Sequence, residues 1–307
     1  MTTWLFSLLS IGCGPTSEVD EALDLRVEPP VVSEGSVVLN GADFVVEPYT
    51  EVLTCIVGTW IDETHGIVRA TTHQDPSFGH HAILMGTTAS PITHSDGTTF
   101  DCTESSAMVD MEPMIMVEPV EDGMTAMTLP DTLAMKLKEG QRWVLQSHYI
   151  NPTADSLRVQ DAVVLELVEE ESVETWAAPL VLVDTDFSLP PQETTTVSFG
   201  CEMEEELNLL FLLGHMHEWG TAFSTDHTSG DETSRIYDEP EWKLDFRDEP
   251  PMQDFGADGR LLLEGDVLTT TCTWDNTTDE EITFPYEMCA SVGVVWPLAV
   301  PLVCDPD

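Results

Sequence analysis

Six side chains of this 307-residue chain have the types and spacing for metal chemistry. His80 and His81 are adjacent. His148 stands in Gln146-Ser147-His148-Tyr149-Ile150-Asn151-Pro152. Further on come His215-Met216-His217-Glu218-Trp219-Gly220 and then Glu287-Met288-Cys289. Imidazole and thioether are ligands for redox-active copper, and the thioether in particular favours Cu(I). Three such ligands in each half predict two separate copper sites, and with them a protein that handles oxygen or electrons.

Those ligands need elements to hold them. The apolar run 207–213 reads as a strand that continues into His215-Met216-His217. Residues i and i+2 of a strand face the same side, so these two imidazoles can converge on one ion. Gly220 then lets the chain turn away. His80 and His81 would point to opposite faces of a regular strand, so joint ligation requires a bulge or turn, with Gly79 supplying the freedom. His148 falls on a strand over 143–150, with Gln146 on the same face, placed to orient a ligand from behind. Taken singly, each histidine or methionine is as well read as a core residue; the signal is in their company.

Short runs rich in β-formers, separated by Gly, Pro, Asp and Asn, predict an all-β fold. Long stretches with a 3.6-residue period are absent; 131–140 reads as a short helical turn. No internal repeat is evident. The acidic run Glu169-Glu170-Glu171 marks a boundary near 168–176, dividing the chain into residues 36–172 and 173–307. The segment 226–259 reads as a long, polar surface excursion. Formal charge is −47, from 57 acidic against 10 basic residues. Such a field repels nucleic acid and anionic membranes, so neither is an expected partner, and it favours solubility and cations.

The apolar stretch Trp4–Gly12 before Cys13 resembles a bacterial lipoprotein signal over residues 1–13, with Cys13 as the lipidated residue. It has no basic residue ahead of it, and Ser10 stands where Leu is usual. Residues 14–35 form an acidic tether. No run is long enough to span a bilayer. The expectation is an exported protein, secreted or lipid-anchored at the cell surface. Six cysteines remain after Cys13, an even number that favours disulfides in an exported chain and allows fifteen pairings.

Taken in order, His80-His81, Gln-x-His-Tyr-x-Asn-Pro, His-x-His-x-x-Gly and Glu-Met-Cys resemble the copper type II, ascorbate-dependent monooxygenases, the family of peptidylglycine α-hydroxylating and dopamine β-monooxygenases. The resemblance runs from about Cys55 to Cys304. It implies two tandem antiparallel, jelly-roll-like β-sandwiches with a cleft between them. It assigns His80, His81 and His148 to an electron-donating copper. It assigns His215, His217 and Met288 to the copper at which dioxygen reacts and a substrate C–H bond is hydroxylated. Ascorbate or another external reductant would recharge both. The disulfides it implies are Cys55–Cys102, Cys201–Cys304 and Cys272–Cys289. One departure bears on the substrate. Where peptidylglycine hydroxylases clamp a peptide carboxylate, this chain has Leu213, Ala290 and Val292, which points to an uncharged or apolar substrate.

Other signals are weaker. The methionines at 108, 111, 114, 116, 124 and 127 read as adaptable core side chains rather than a Cu(I)-capturing array. His65, His73, His94 and His227 lie in polar segments and read as exposed. No second histidine follows His217-Glu218 at zincin spacing, and no Walker, dinucleotide, G-x-S-x-G or EF-hand pattern occurs. Two readings compete with an enzyme: an extracellular copper carrier on the same fold with catalysis lost, and a surface adhesion module with incidental histidines.

Overall fold

A computed structural model describes residues 22–28, 31–32, 35–88, 95–102, 111–117, 124–247, 250–284 and 286–305. Cys13, the apolar stretch before it and His94 lie outside these. The described residues form strands with only two short 3-10 turns, Glu170–Ser172 and Leu244–Arg247, so the protein is all-β. No helix among them is long and apolar enough to cross a membrane.

The first half contributes β1 (Ser36–Asn40), β2 (Thr50–Trp60), β3 (His65–His73), β4 (Gly79–Thr87), β5 (Thr99–Asp101), β6 (Met111–Val117), β7 (Met124–Thr128), β8 (Leu133–Leu137), β9 (Arg142–Asn151) and β10 (Ala162–Glu169). The second contributes β11 (Thr175–Asp184), β12 (Glu193–Glu202), β13 (Leu207–His215), β14 (Gly220–Ser229), β15 (Glu232–Glu239), β16 (Met252–Asp254), β17 (Val267–Asn276), β18 (Cys289–Trp296) and β19 (Leu302–Cys304).

Alternation of apolar and polar residues gives each sheet one face to bury, and pairs of sheets close over those faces. In the first half, β5-β2-β9-β4-β6 covers the sheet containing β1, β10, β3 and β8. Leu84, Leu145, Ile67, Val163 and Leu165 fill the space between. In the second, β12-β17-β14-β15 covers the sheet containing β11, β18, β13 and β16, around Leu182, Leu209, Leu212, Phe223 and Trp274. The two halves share a sheet: β8 pairs in parallel with the start of β11, Leu133 opposite Thr175. Leu210 and Val294 of the second half are buried in the core of the first. Cys55–Cys102, Cys201–Cys304 and Cys272–Cys289 are bonded as the resemblance implies. Three disulfides fit an oxidising, extracellular environment.

Two expectations are overturned. Residues 133–137 form β8 rather than a helical turn; Leu133, Met135 and Leu137 are buried at period two, which propensity alone does not register. The polar segment from 226 begins as the β14–β15 hairpin, whose outward polar residues mask the inward Ile236 and Tyr237; Trp242 follows them into the core. The halves also carry the same turn after a central strand. Asn151 and Asn276 each donate through Nδ2 to the carbonyl four residues on, at 2.9 and 2.8 Å. Thr153 and Thr278 each donate from N and Oγ1 back to the Asn side chain. Only Asn and Thr are common to the two copies, too little to stand out in sequence.

Candidate metal centres

β9 lies between β2 and β4, and His148 sits directly opposite His81. The register slips between His148 and Tyr149, which pairs with Gly79, so His80 is the extra residue of a bulge. This is the device that adjacent ligands require: the bulge turns His80 onto the side of its neighbour. Gly79 matters by its bareness, because a Cβ there would lie 2.2 Å from Gln74 Cγ and 2.5 Å from the Asp75 carbonyl oxygen.

The three imidazoles meet through their Nδ1 atoms. His80 Nδ1 lies 3.0 Å from His81 Nδ1, and His148 Nδ1 lies 3.5 Å from it. One ring nitrogen from each residue falls within 4.8 Å of the others. Nitrogens that share an ion through bonds of about 2 Å stand roughly 3–3.5 Å apart, so the spacing fits a metal. His80 and His148 are buried. Burial, reinforced by the other imidazoles, holds His81 well below the ordinary imidazole range. Burial also lowers His148, against the pull of Glu51. Both rings are thereby kept neutral, the state in which a lone pair is free for a metal.

Glu51 fixes the ring of His148: its carboxylate lies 2.8 Å from Nε2, so Nε2 carries the proton and Nδ1 the lone pair. The hydrogen bond from His148 lowers the pKa of Glu51 in turn. Gln74, fully buried, donates to the backbone carbonyls of His81 (3.2 Å) and His148 (3.4 Å) and to Asp161 Oδ2 (3.0 Å). Asp161 also accepts from Tyr149 Oη. Burial pushes the Asp161 carboxyl up to about 6 and raises Tyr149 as well. Gln146 is buried on the same strand, with Nε2 3.5 Å from Cys102 Sγ, against the Cys55–Cys102 disulfide. Backbone bracing at the ligands comes from Gln74, which the sequence reading did not single out.

In the second half β13 ends at His215. Met216 points into the core and is fully buried, which sends His215 and His217 to the other side. Their Nε2 atoms converge at 3.2 Å. His217 Nδ1 lies 3.2 Å from the carbonyl oxygen of Tyr286, so Nδ1 carries the proton and Nε2 the lone pair. His215 pairs with Ala290 at the end of the ladder, and beyond it the main-chain N–H groups of His217 and Met288 both reach one oxygen of Glu287. Glu287 joins the two segments. Its carboxylate is fully buried and accepts from the backbone N–H groups of His217 (2.8 Å), Trp219 (2.8 Å) and Met288 (3.0 Å), and from Trp274 Nε1 (3.0 Å). Gly220 opens β14 and serves close packing, because a Cβ there would meet Trp242 and Met216 at 2.8 and 2.9 Å.

Burial first, and then the imidazoles of His148, His80, His215 and His217, lower His81. Arg247, from the second half, acts on Glu51 and His148 in the first.

Of the remaining histidines, His65 and His73 are half-buried in β3. His227, expected on the surface, is buried: Nε2 lies 2.7 Å from Asp266 Oδ2, and Arg260 Nε donates to Nδ1 at 3.0 Å. Its neighbours in sequence are polar, but strand alternation turns it inward, and the hydrogen bonds to Asp266 and Arg260 compensate the burial. Met114 is buried in the first core and Met127 packs against it.

No family model matches the chain, and no curated protein matches it. Among solved structures it is similar to the major capsid protein P2 of bacteriophage PM2 (10% identity, 85% of this chain and 98% of that one, TM-score 0.38). It is also similar to PNGase F, a glycosylasparaginase from Flavobacterium meningosepticum (10% identity, 88% and 98%, TM-score 0.39). Scores this low do not establish a common fold, and the all-β assignment rests on the strands themselves.

Proposed function

We propose that the chain is a copper-dependent monooxygenase, hydroxylating a C–H bond of an uncharged small substrate with O2 and an external reductant such as ascorbate. One observation carries this reading: two nitrogen sets, His80–His81–His148 and His215–His217, each converge within themselves. Met288, whose main-chain N–H shares a Glu287 oxygen with that of His217, would favour copper over zinc there, because a thioether is a soft ligand. Copper in such sets supplies one-electron redox chemistry and oxygen activation.

The chain's own residues prepare the sites. Glu51 and the Tyr286 carbonyl select the tautomers that turn lone pairs inward. Low-lying pKa values keep His81 and His148 unprotonated. Glu287 holds the His217 and Met288 segments in one arrangement. Leu213 and Val292, in register with each other next to His215 and Ala290, offer no partner to a charged substrate.

Metal analysis of the purified protein should find two coppers per chain. Met288→Ile should abolish reductant-dependent oxygen consumption and leave the first site filled. One copper or none in folded protein would count against the proposal; two coppers with no turnover on a broad substrate panel would favour a carrier. We further read Cys13 as the lipid anchor of a surface protein, supported by the apolar stretch before it; intact mass of membrane-extracted protein tests this.

A further inference from the structure

The sheet that carries His215 has two faces. Leu182, Leu212 and Val295 point into the second core. The opposite face can be followed strand by strand. Leu213 stands opposite Met252 on one side and Val292 on the other. Val292 stands opposite Val181, and Val181 opposite Val303. Residues directly opposite in register share a face, so Met252, Leu213, Val292, Val181 and Val303 form a single row across five strands, about 19 Å at ~4.8 Å per strand. His215, two residues from Leu213, is on this face in the next row, with Ala290 and Val183.

The row is not core. Leu213, Val292 and Val181 are half-buried, and Met252 and Val303 are 58% and 52% exposed. A solvated sheet face ordinarily carries polar residues. Elsewhere this chain follows that rule: the outer face of β12 and β17 is a ladder of hydroxyls, Thr196 with Thr273 and Ser198 with Thr271. In a chain of net charge −47, an unbroken apolar row leading to a histidine pair is a departure from its own surface chemistry.

We infer that this row is the subsite for an uncharged aliphatic chain, laid across the strands with one carbon at the His215–His217 centre; the inference rests on the reading of that centre as the hydroxylating one. The row offers dispersion contacts and no charge or amide to pair with a peptide. Its length suits a chain rather than a single ring.

The probe is a series of straight-chain primary alcohols, hexanol to dodecanol, binding to the copper-loaded full chain. Affinity should rise about two- to fourfold per added methylene, up to the ~0.8 kcal/mol expected for a buried CH2. Val303→Ser, two strands beyond Val292, should weaken dodecanol about fivefold and leave hexanol unchanged. Leu213→Gln should weaken every member. Affinity independent of chain length, or indifferent to Val303→Ser in folded protein, overturns the inference. Length-dependent binding to a protein that holds no copper would uphold the subsite and sink the monooxygenase reading; two coppers without length dependence would do the reverse.

Discussion

Replacing Glu287 by Gln isolates how the second site is held. The carboxylate takes four N–H donors, three on Oε2 and one on Oε1, and is fully buried. An amide has one acceptor oxygen. If that oxygen keeps the donors from His217, Trp274 and Met288, the amide N–H groups face Trp219 N–H. Leaving one buried N–H without an acceptor costs about 1–3 kcal/mol. The three retained bonds change from charge-assisted to neutral, a loss of about 0.5–1.5 kcal/mol each. Relief of the buried charge offsets part of this, leaving a net destabilisation on the order of 3 kcal/mol. Denaturant unfolding of metal-free protein reads this without any contribution from copper. In the loaded protein the second copper should bind about 10–100-fold more weakly, with the first unchanged. A metal-free Glu287→Gln variant as stable as the parent, with second-site affinity intact, would refute the claim that this carboxylate holds the two ligand segments together.

Two further outcomes follow from the same geometry. Glu51→Gln replaces the charged partner of His148 with a neutral one, so first-site copper affinity should fall about 10–100-fold in competition titrations while the second site keeps its own. Asp161, raised to about 6 by burial, binds a proton more tightly folded than unfolded. Its contribution to stability is therefore complete below about pH 4 and is lost as pH rises to about 6, on the order of 3 kcal/mol. The stability difference between the parent and Asp161→Asn should move against the parent across that window and level off above it; a flat difference would contradict the shift.

Much of this was legible in the sequence because it rests on local rules. Short runs of β-formers between turn residues announced the strands, and H-x-H at a strand end announced a shared face. An adjacent His-His pair can share an ion only across a bulge or a turn, and the register slip opposite His148 is a bulge. What supports the ligands was not legible. Glu51 is one acid among 57 and lies 97 residues from His148. Gln74 gains its role only when β4 and β9 bring two carbonyls to one amide. His227 misled in the other direction: its polar neighbours hid an inward position that Asp266, 39 residues away, makes tolerable. Long-range pairing decides all three, and no local pattern encodes it.

The two sets present opposite ring nitrogens, and the strand geometry accounts for it. His81 and His148 are a cross-strand pair, whose Cβ atoms are separated by only about 4.5–5.5 Å. At that separation Nδ1, the nitrogen nearer the main chain, is the one that meets its counterpart, and Nε2 is left to reach outward. For His148 the outward partner is Glu51. His215 and His217 lie two residues apart along the chain, about 6.5 Å in extended conformation, so only the distal Nε2 atoms can close the gap. Nδ1 of His217 then falls back on the nearby Tyr286 carbonyl. The outer contact thus differs in kind: a partly exposed carboxylate behind the first set, a neutral carbonyl and the buried Glu287 behind the second. Were copper held, the Glu51 carboxylate would make the His148 imidazole a more electron-rich donor than the Tyr286 carbonyl makes that of His217. The backbone, by dictating which nitrogen turns inward, also dictates what each ring can lean on.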